Sequence, residues 1–166
     1  MIKGYRAQNG GFSFIELMVV ISIITLLSAI AIPLFLGFRE KSRVRAYMAT
    51  AAGAVSEIQS WVVTTKDPVN LSLRDLDTNC DGTIDSNDMT NGDILTAGIA
   101  YVYANCRNNG KNEKAPWSDT PLWYATSDKS SLPVGQISLV QESEGIELIA
   151  LSTGNVILFH GFISYQ

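Results

Sequence analysis

Residues 11–33 read GFSFIELMVVISIITLLSAIAIP, and this stretch decides how the rest of the 166-residue chain is read. After Gly11 it holds one carboxylate, Glu16, and every other residue up to Pro33 is apolar or small. A run of about twenty apolar residues is long enough to cross the hydrocarbon core of a bilayer as a helix. A charged side chain inside such a run is costly, so Glu16 points to a function rather than to packing. The flanks differ from it in kind. Residues 1–11 (MIKGYRAQNGG) carry Lys3 and Arg6 and no acid, and the chain beyond Arg39 has the composition of a water-soluble domain. The chain reads as one lipid-embedded helix carrying one exported domain.

The order of the N-terminal features is informative. A conventional signal peptide places its small-residue cleavage site after the apolar segment. Here the small-residue junction, Gly10-Gly11, precedes it, so a cut after Gly11 leaves the apolar helix on the mature protein. The sequence GFSFIELMVVI followed by IAIP resembles the N-terminal region of type IV pilins and type II secretion pseudopilins, over roughly residues 10–38. That resemblance implies cleavage between Gly11 and Phe12 by a membrane-bound prepilin peptidase, which then N-methylates Phe12. It implies further that Glu16 pairs with the new amine of a neighbouring subunit as a filament grows. The physical sense is that a carboxylate in lipid is tolerable when it finds a cation. The partners implied are copies of this chain or related pilins in a helical filament, the peptidase, an inner-membrane assembly platform and membrane lipid. The location implied is a single pass of the inner membrane with the head in the periplasm, and later an extracellular pilus or a periplasmic pseudopilus. Charge alone favours the other orientation, because Arg39, Lys41, Arg43 and Arg45 come after the apolar run and positive clusters tend to stay in the cytoplasm.

Beyond Pro33, which removes a backbone hydrogen bond and is expected to kink the helix, apolar residues recur at Val44, Tyr47, Met48, Ala51, Val55, Ile58 and Val62. These three- and four-residue steps make a stripe along one helix face. Asp67-Pro68 ends it, since the residue before proline avoids helical geometry. One long helix over residues 12–66 is therefore expected, its segment 12–38 in lipid or a filament core and its segment 39–66 amphipathic. Residues 67–166 form the head, a loop-rich region at 67–117 and then strands in 118–166. Strands are expected at 122–126, 136–141, 147–151 and 156–164, with short turns that favour an antiparallel sheet. Residues 94–103 are apolar enough for a short helix or a strand. The fold class is α+β: one long N-terminal helix, its second half packed against a C-terminal antiparallel sheet.

The head is acidic, with thirteen acidic against five basic residues from Asp67 onward, which argues against a nucleic-acid partner held by charge. Residues 77–88 read DTNCDGTIDSND and fit the EF-hand calcium loop at nearly every point. Asp77, Asn79 and Asp81 supply oxygens at loop positions one, three and five, Gly82 the sharp turn at six, and the Thr83 carbonyl position seven. Asp85 stands at nine, and Asp88 closes the loop where an EF-hand has glutamate, which resembles dockerin calcium loops. Calcium is thus the expected cofactor, and a single loop implies weak affinity, about 10⁻⁴ M or looser. Cys80 and Cys106 both lie beyond the anchor, where an oxidising compartment pairs them. Resemblance to calcium loops puts the Cys80 side chain away from the metal, free to make that bond.

No catalytic constellation is present. His160 is the single histidine and lies in an apolar strand, as a packed or edge residue; there is no phosphate-binding glycine loop and no zinc spacing. The aromatic spacing supports core packing rather than an electron path. Two functions of different class remain: a non-enzymatic filament subunit, or a membrane-anchored calcium-binding module that binds a partner without polymerising.

Overall fold

The structure, a computed structural model, describes residues 11–67 and 69–165. It divides into two units, one ending at Ser42 and the other beginning at Arg43. Helix α1 (Phe14–Thr65) contributes to both.

In the first unit α1 carries its apolar residues on every side, all exposed from Phe14 to Phe38 save a half-buried Ser28. A helix apolar all round needs lipid or other helices as its solvent, and α1 is long and apolar enough to cross a membrane. Its hydroxyls turn inward to the backbone: Ser22 donates to the Met18 carbonyl and Thr25 to that of Ile21, each at 2.7 Å. This satisfies polar groups that lipid cannot. The helix is continuous through Pro33.

In the second unit α1 buries Tyr47, Ala51, Ala54, Ile58, Trp61, Val62 and Thr65. The stripe predicted from spacing is recovered at Tyr47, Ala51, Ile58 and Val62. Met48 lies on the exposed side, and Ala54 and Trp61 take its place in the core. Against this face packs a four-stranded sheet, β1 (Trp123–Thr126), β2 (Ile137–Gln141), β3 (Gly145–Leu151) and β4 (Ile157–Ser164), in spatial order β1-β2-β3-β4. The architecture is α+β, a long N-terminal helix on a C-terminal sheet.

The sheet is mixed rather than wholly antiparallel. β2, β3 and β4 form an antiparallel meander, whereas β1 pairs parallel with β2, Trp123 opposite Ile137. A parallel neighbour requires the chain to return to the end from which it started. With β1 only 4 residues long, the segment 127–136 can make that return. It crosses the sheet face turned away from α1. There Leu132 packs on Val140, Ile149 and Leu151, and Lys129 is paired with Glu142 and Glu147.

The other sheet face, with Trp123, Ile137, Leu139, Ile146, Leu148 and Ile163, joins α1 in the main core. Between them stand α2 (Asn91–Ala97) and α3 (Ile99–Asn105), separated by Gly98 at φ 93°. Residues 94–103 are therefore helical, broken at the one residue able to adopt that backbone without strain. Thr90 and Asp93 close a reciprocal capping box at the start of α2. A π-helical turn, Cys106–Gly110, extends α3.

Candidate functional site

The predicted cleavage junction lies at the edge of the described residues. Gly11, Phe12 and Ser13 precede α1, and Phe12 is 85% exposed. Glu16 falls in the first helical turn, where its charge suits the positive end of the helix dipole. Its Oε2 accepts the backbone N–H of Ser13 at 3.4 Å. That contact is half of a capping box, and the spacing that announces it, Ser-x-x-Glu, is present in residues 13–16. Glu16 thus has a local partner within its own chain, and it sits four residues from the position at which a new amine would form. The leader, residues 1–10, lies outside the described residues.

The second candidate region is the 77–88 loop. Its first half folds around the Asp77 carboxylate, whose Oδ1 accepts the Asp81 N–H at 3.2 Å and whose Oδ2 accepts that of Gly82 at 2.8 Å. Asn79 Oδ1 also accepts from Asp81 N–H, at 2.8 Å, and Asp81 Oδ1 accepts from the N–H and hydroxyl of Thr83 at 2.9 and 2.8 Å. These bonds hold the Asp81 carboxyl below the usual carboxylate range, the Thr83 hydroxyl contributing most. Gly82, at φ 97°, makes the tight turn expected at position six. The side-chain oxygens of Asp77, Asn79 and Asp81 are thus held by the backbone amides of the turn, and each carboxylate oxygen used retains acceptor capacity.

The closing half is different. Asp88 is 3% exposed. Its Oδ1 accepts the N–H of Thr78 at 2.7 Å, the Thr78 hydroxyl at 3.1 Å and the N–H of Asn79 at 3.3 Å, and its Oδ2 accepts the Asp85 N–H at 2.9 Å. Burial alone pushes this carboxyl up, but the combined hydrogen bonds outweigh it and the net shift is downward. Asp85 bonds the N–H and side-chain amide of Asn87, at 2.7 and 3.2 Å. Asp88 therefore ties the two limbs of the loop together directly. Among the described residues no three His, Cys, Asp or Glu side chains converge as a metal-holding group. The donor chemistry of the first half suits a hard cation, and the second half is closed by the protein's own amides.

The loop is docked firmly on the head. Cys80 and Cys106 form a disulfide with Cα atoms 5.3 Å apart, within the range that such a bond spans. Cys80 adopts φ 61°, unusual for a residue with a side chain, and so faces the π-helical turn. A Cβ on Gly110 would lie 2.2 Å from the Asn79 carbonyl oxygen and 2.5 Å from the Cys80 Cβ. Glycine is required there by close approach. Arg74 Nε donates to the Asp88 carbonyl at 2.8 Å, and Asn91 Nδ2 donates to Asp75 at 2.9 Å and to the Asn70 carbonyl at 3.0 Å.

One further cluster has no counterpart in any sequence motif. Arg107 pairs with Glu57 on α1 and with Glu113, each at 2.8 Å, and its guanidinium lies over the rings of Tyr103 and Trp123 at 5.7 and 5.6 Å. Tyr103 donates to Glu57 Oε2 at 2.8 Å and Trp123 Nε1 to Glu113 Oε2 at 2.5 Å. Burial first, and the bond to Glu57 second, push the Tyr103 phenol well above its ordinary value. The rings of Trp61, Tyr103 and Trp123 continue the cluster edge to face at 5.3 and 5.4 Å. Its partners lie 50 and 6 residues from Arg107, so no local spacing announces it. It is a structural bolt, with all three guanidinium nitrogens of Arg107 paired with Glu57 or Glu113. His160, on edge strand β4, pairs with Glu147 at 2.6 Å on the outer face of the sheet.

Comparison with known proteins bears on the N-terminus alone. Residues 6–32 match the family described as the prokaryotic N-terminal methylation motif. No curated protein and no solved structure matches the chain significantly. The matched segment contains Gly11, Phe12 and Glu16, so the chain carries a prepilin-type methylation signal at the head of α1, the one helix among the described residues long and apolar enough to cross a membrane.

Proposed function

We propose that this chain is a structural, non-enzymatic subunit of a type IV pilus or a related secretion pseudopilus. The observation that carries the reading is the methylation motif at residues 6–32, joined to a helix apolar on every side. Prepilin peptidase cuts after Gly11 and methylates Phe12. The chain waits in the inner membrane with its head in the periplasm. The assembly platform then extracts it into a helical filament of its own copies or related pilins. Burying α1 among neighbouring helices replaces lipid contact, and Glu16 exchanges its Ser13 amide for the amine of a neighbour's Phe12. A subunit out of register would leave that carboxylate unpaired in an apolar core, which is strongly unfavourable.

Calcium belongs to the same proposal. Asp77, Asn79, Asp81, the Thr83 carbonyl, Asp85 and Asp88 would hold the ion, and its binding would stiffen the loop; the sequence spacing and the Gly82 turn support this.

The filament reading is tested by Glu16→Ala. The variant is expected to be exported and cleaved normally, with filament recovered by shearing falling at least about tenfold, the loss that about 1.4 kcal/mol per subunit contact implies. Filament yield equal to wild type would remove the pairing role from Glu16.

A further inference from the structure

Between the 77–88 loop and α3 lies an open cleft of about 550 Å³, a volume typical of small-molecule sites. Asn79 and Asn87 edge it from the loop and Tyr101 and Asn105 from α3, over an apolar floor that includes Met89 and Val102. Among the described residues no charged side chain lines it. The amides of Asn87 and Asn105 are half used, whereas Asn79 is engaged at both ends, its Oδ1 accepting the Asp81 N–H at 2.8 Å. Asn79 gives one N–H to Asp81 at 3.1 Å, Asn87 gives one to Asp85 at 3.2 Å, and the Asn105 oxygen accepts from Asn109. The Tyr101 hydroxyl has no partner among the described residues, and the ring is 41% exposed.

The chemistry of the lining selects a class of ligand. A cation would find no carboxylate in the lining. An anion would meet the carboxylates of Asp81 and Asp85 just behind the asparagines. A wholly apolar ligand would strip water from amides and a phenol without replacing those hydrogen bonds, which is unfavourable. A neutral polyhydroxylated ring meets none of these objections. Each asparagine amide presents a donor beside an acceptor, matching a pair of hydroxyls, and an aromatic face offers apolar area to ring C–H groups.

We propose that this cleft binds a neutral saccharide, with Tyr101 as the stacking platform and Asn87 and Asn105 as its hydrogen-bonding groups. The site faces solvent from the head, and its action does not depend on whether the chain polymerises. The test titrates the full chain, in micelles of a detergent lacking a sugar head group, with maltotriose, mannotriose and chitotriose, monitored by saturation-transfer NMR. At least one trisaccharide is expected to bind saturably with Kd about 1 mM, as suits an open cleft with few polar contacts. Tyr101→Ala is expected to weaken that binding about tenfold and Tyr101→Phe to preserve most of it. Asn87→Ala, on the loop rather than on a helix, is expected to weaken it as well, with the circular dichroism of each variant unchanged. Absence of saturation by all three probes up to roughly 20 mM, twentyfold above that Kd, would overturn the assignment. So would equal binding by wild type, Tyr101→Ala and Asn87→Ala, or saturable binding of the peptide Gly-Ser-Gly-Ser, acetylated and amidated so that it is uncharged, in place of any saccharide.

Discussion

Replacing Arg107 by methionine isolates what the guanidinium contributes to joining α1 to the rest of the head. Methionine keeps an unbranched stem over Tyr103 and Trp123 but removes every donor. Glu57 and Glu113 are then left beside one another's field with only the Tyr103 hydroxyl and the Trp123 N–H to serve them. The Arg107 side chain is 15% exposed, and those of Glu57 and Glu113 are 38% and 24% exposed. Breaking a fully buried pair costs about 3–5 kcal/mol, and a surface pair contributes about 0–1 kcal/mol. This partly shielded triad should lie between, at about 2–3 kcal/mol. For a domain of this size that corresponds to a fall in Tm of about 6–15 °C. Urea unfolding monitored by tryptophan fluorescence reads it, because Trp61 and Trp123 both lie in the cluster. Adding Glu113→Gln to the Arg107→Met chain neutralises one stranded carboxylate. The double variant should therefore be more stable than the sum of the single losses implies, by about 0.5–3 kcal/mol. A loss below about 0.5 kcal/mol for Arg107→Met, or strict additivity of the two changes, would refute the argument that a desolvated charge pair holds the joint.

Three further outcomes are expected from the geometry. Gly110→Ala drives a methyl group into backbone at the Asn79 carbonyl; it should cost about 1–3 kcal/mol and speed proteolysis within the 77–88 loop, and wild-type stability would contradict the close approach. If the loop holds calcium with Kd about 10⁻⁴ M, a hundredfold excess should stabilise the head by about 2.7 kcal/mol. Asp81→Ala should abolish that gain, and identical urea midpoints in calcium and in chelator would remove the ion from the account. The Glu147 carboxyl is held below its ordinary 4.5 by the Lys129 hydrogen bond, with burial opposing and His160 assisting. Its folded value being depressed, its stabilisation is complete above about pH 4.5 and is lost as the pH falls through the folded value. Glu147→Gln should flatten the acid limb of stability between about pH 5 and pH 3, and an unchanged limb would mean that the Lys129 strap adds nothing.

The large elements were legible because their signals are local. The apolar run, the three- and four-residue stripe and the Asp67-Pro68 stop place α1 within two residues of its observed ends at Phe14 and Thr65. Alternating β-branched segments place all four strands, with β3 beginning at Gly145 rather than at Glu147. The parallel pairing of β1 was not legible. A polar linker of this length reads like a hairpin loop, and its route is decided by Leu132 and Lys129 finding partners far off in sequence. The Cys80–Cys106 pairing came from cysteine arithmetic, whereas the need for glycine at 110 depends on a backbone approach that no motif records. Asp88 carries more than its spacing records. Spacing assigns it to the last position of a calcium loop, and the bonds it accepts from the amides of Thr78, Asn79 and Asp85 depend on the folded loop rather than on any motif.

The most direct test of the account is the intact mass of the protein recovered from native membranes or from sheared filaments. A chain beginning at Phe12 and heavier by one methyl group is the expected result, and it would establish the processing on which assembly through Glu16 depends. A chain still beginning at Met1 would contradict it and leave an anchored exported domain that does not enter a filament by this route.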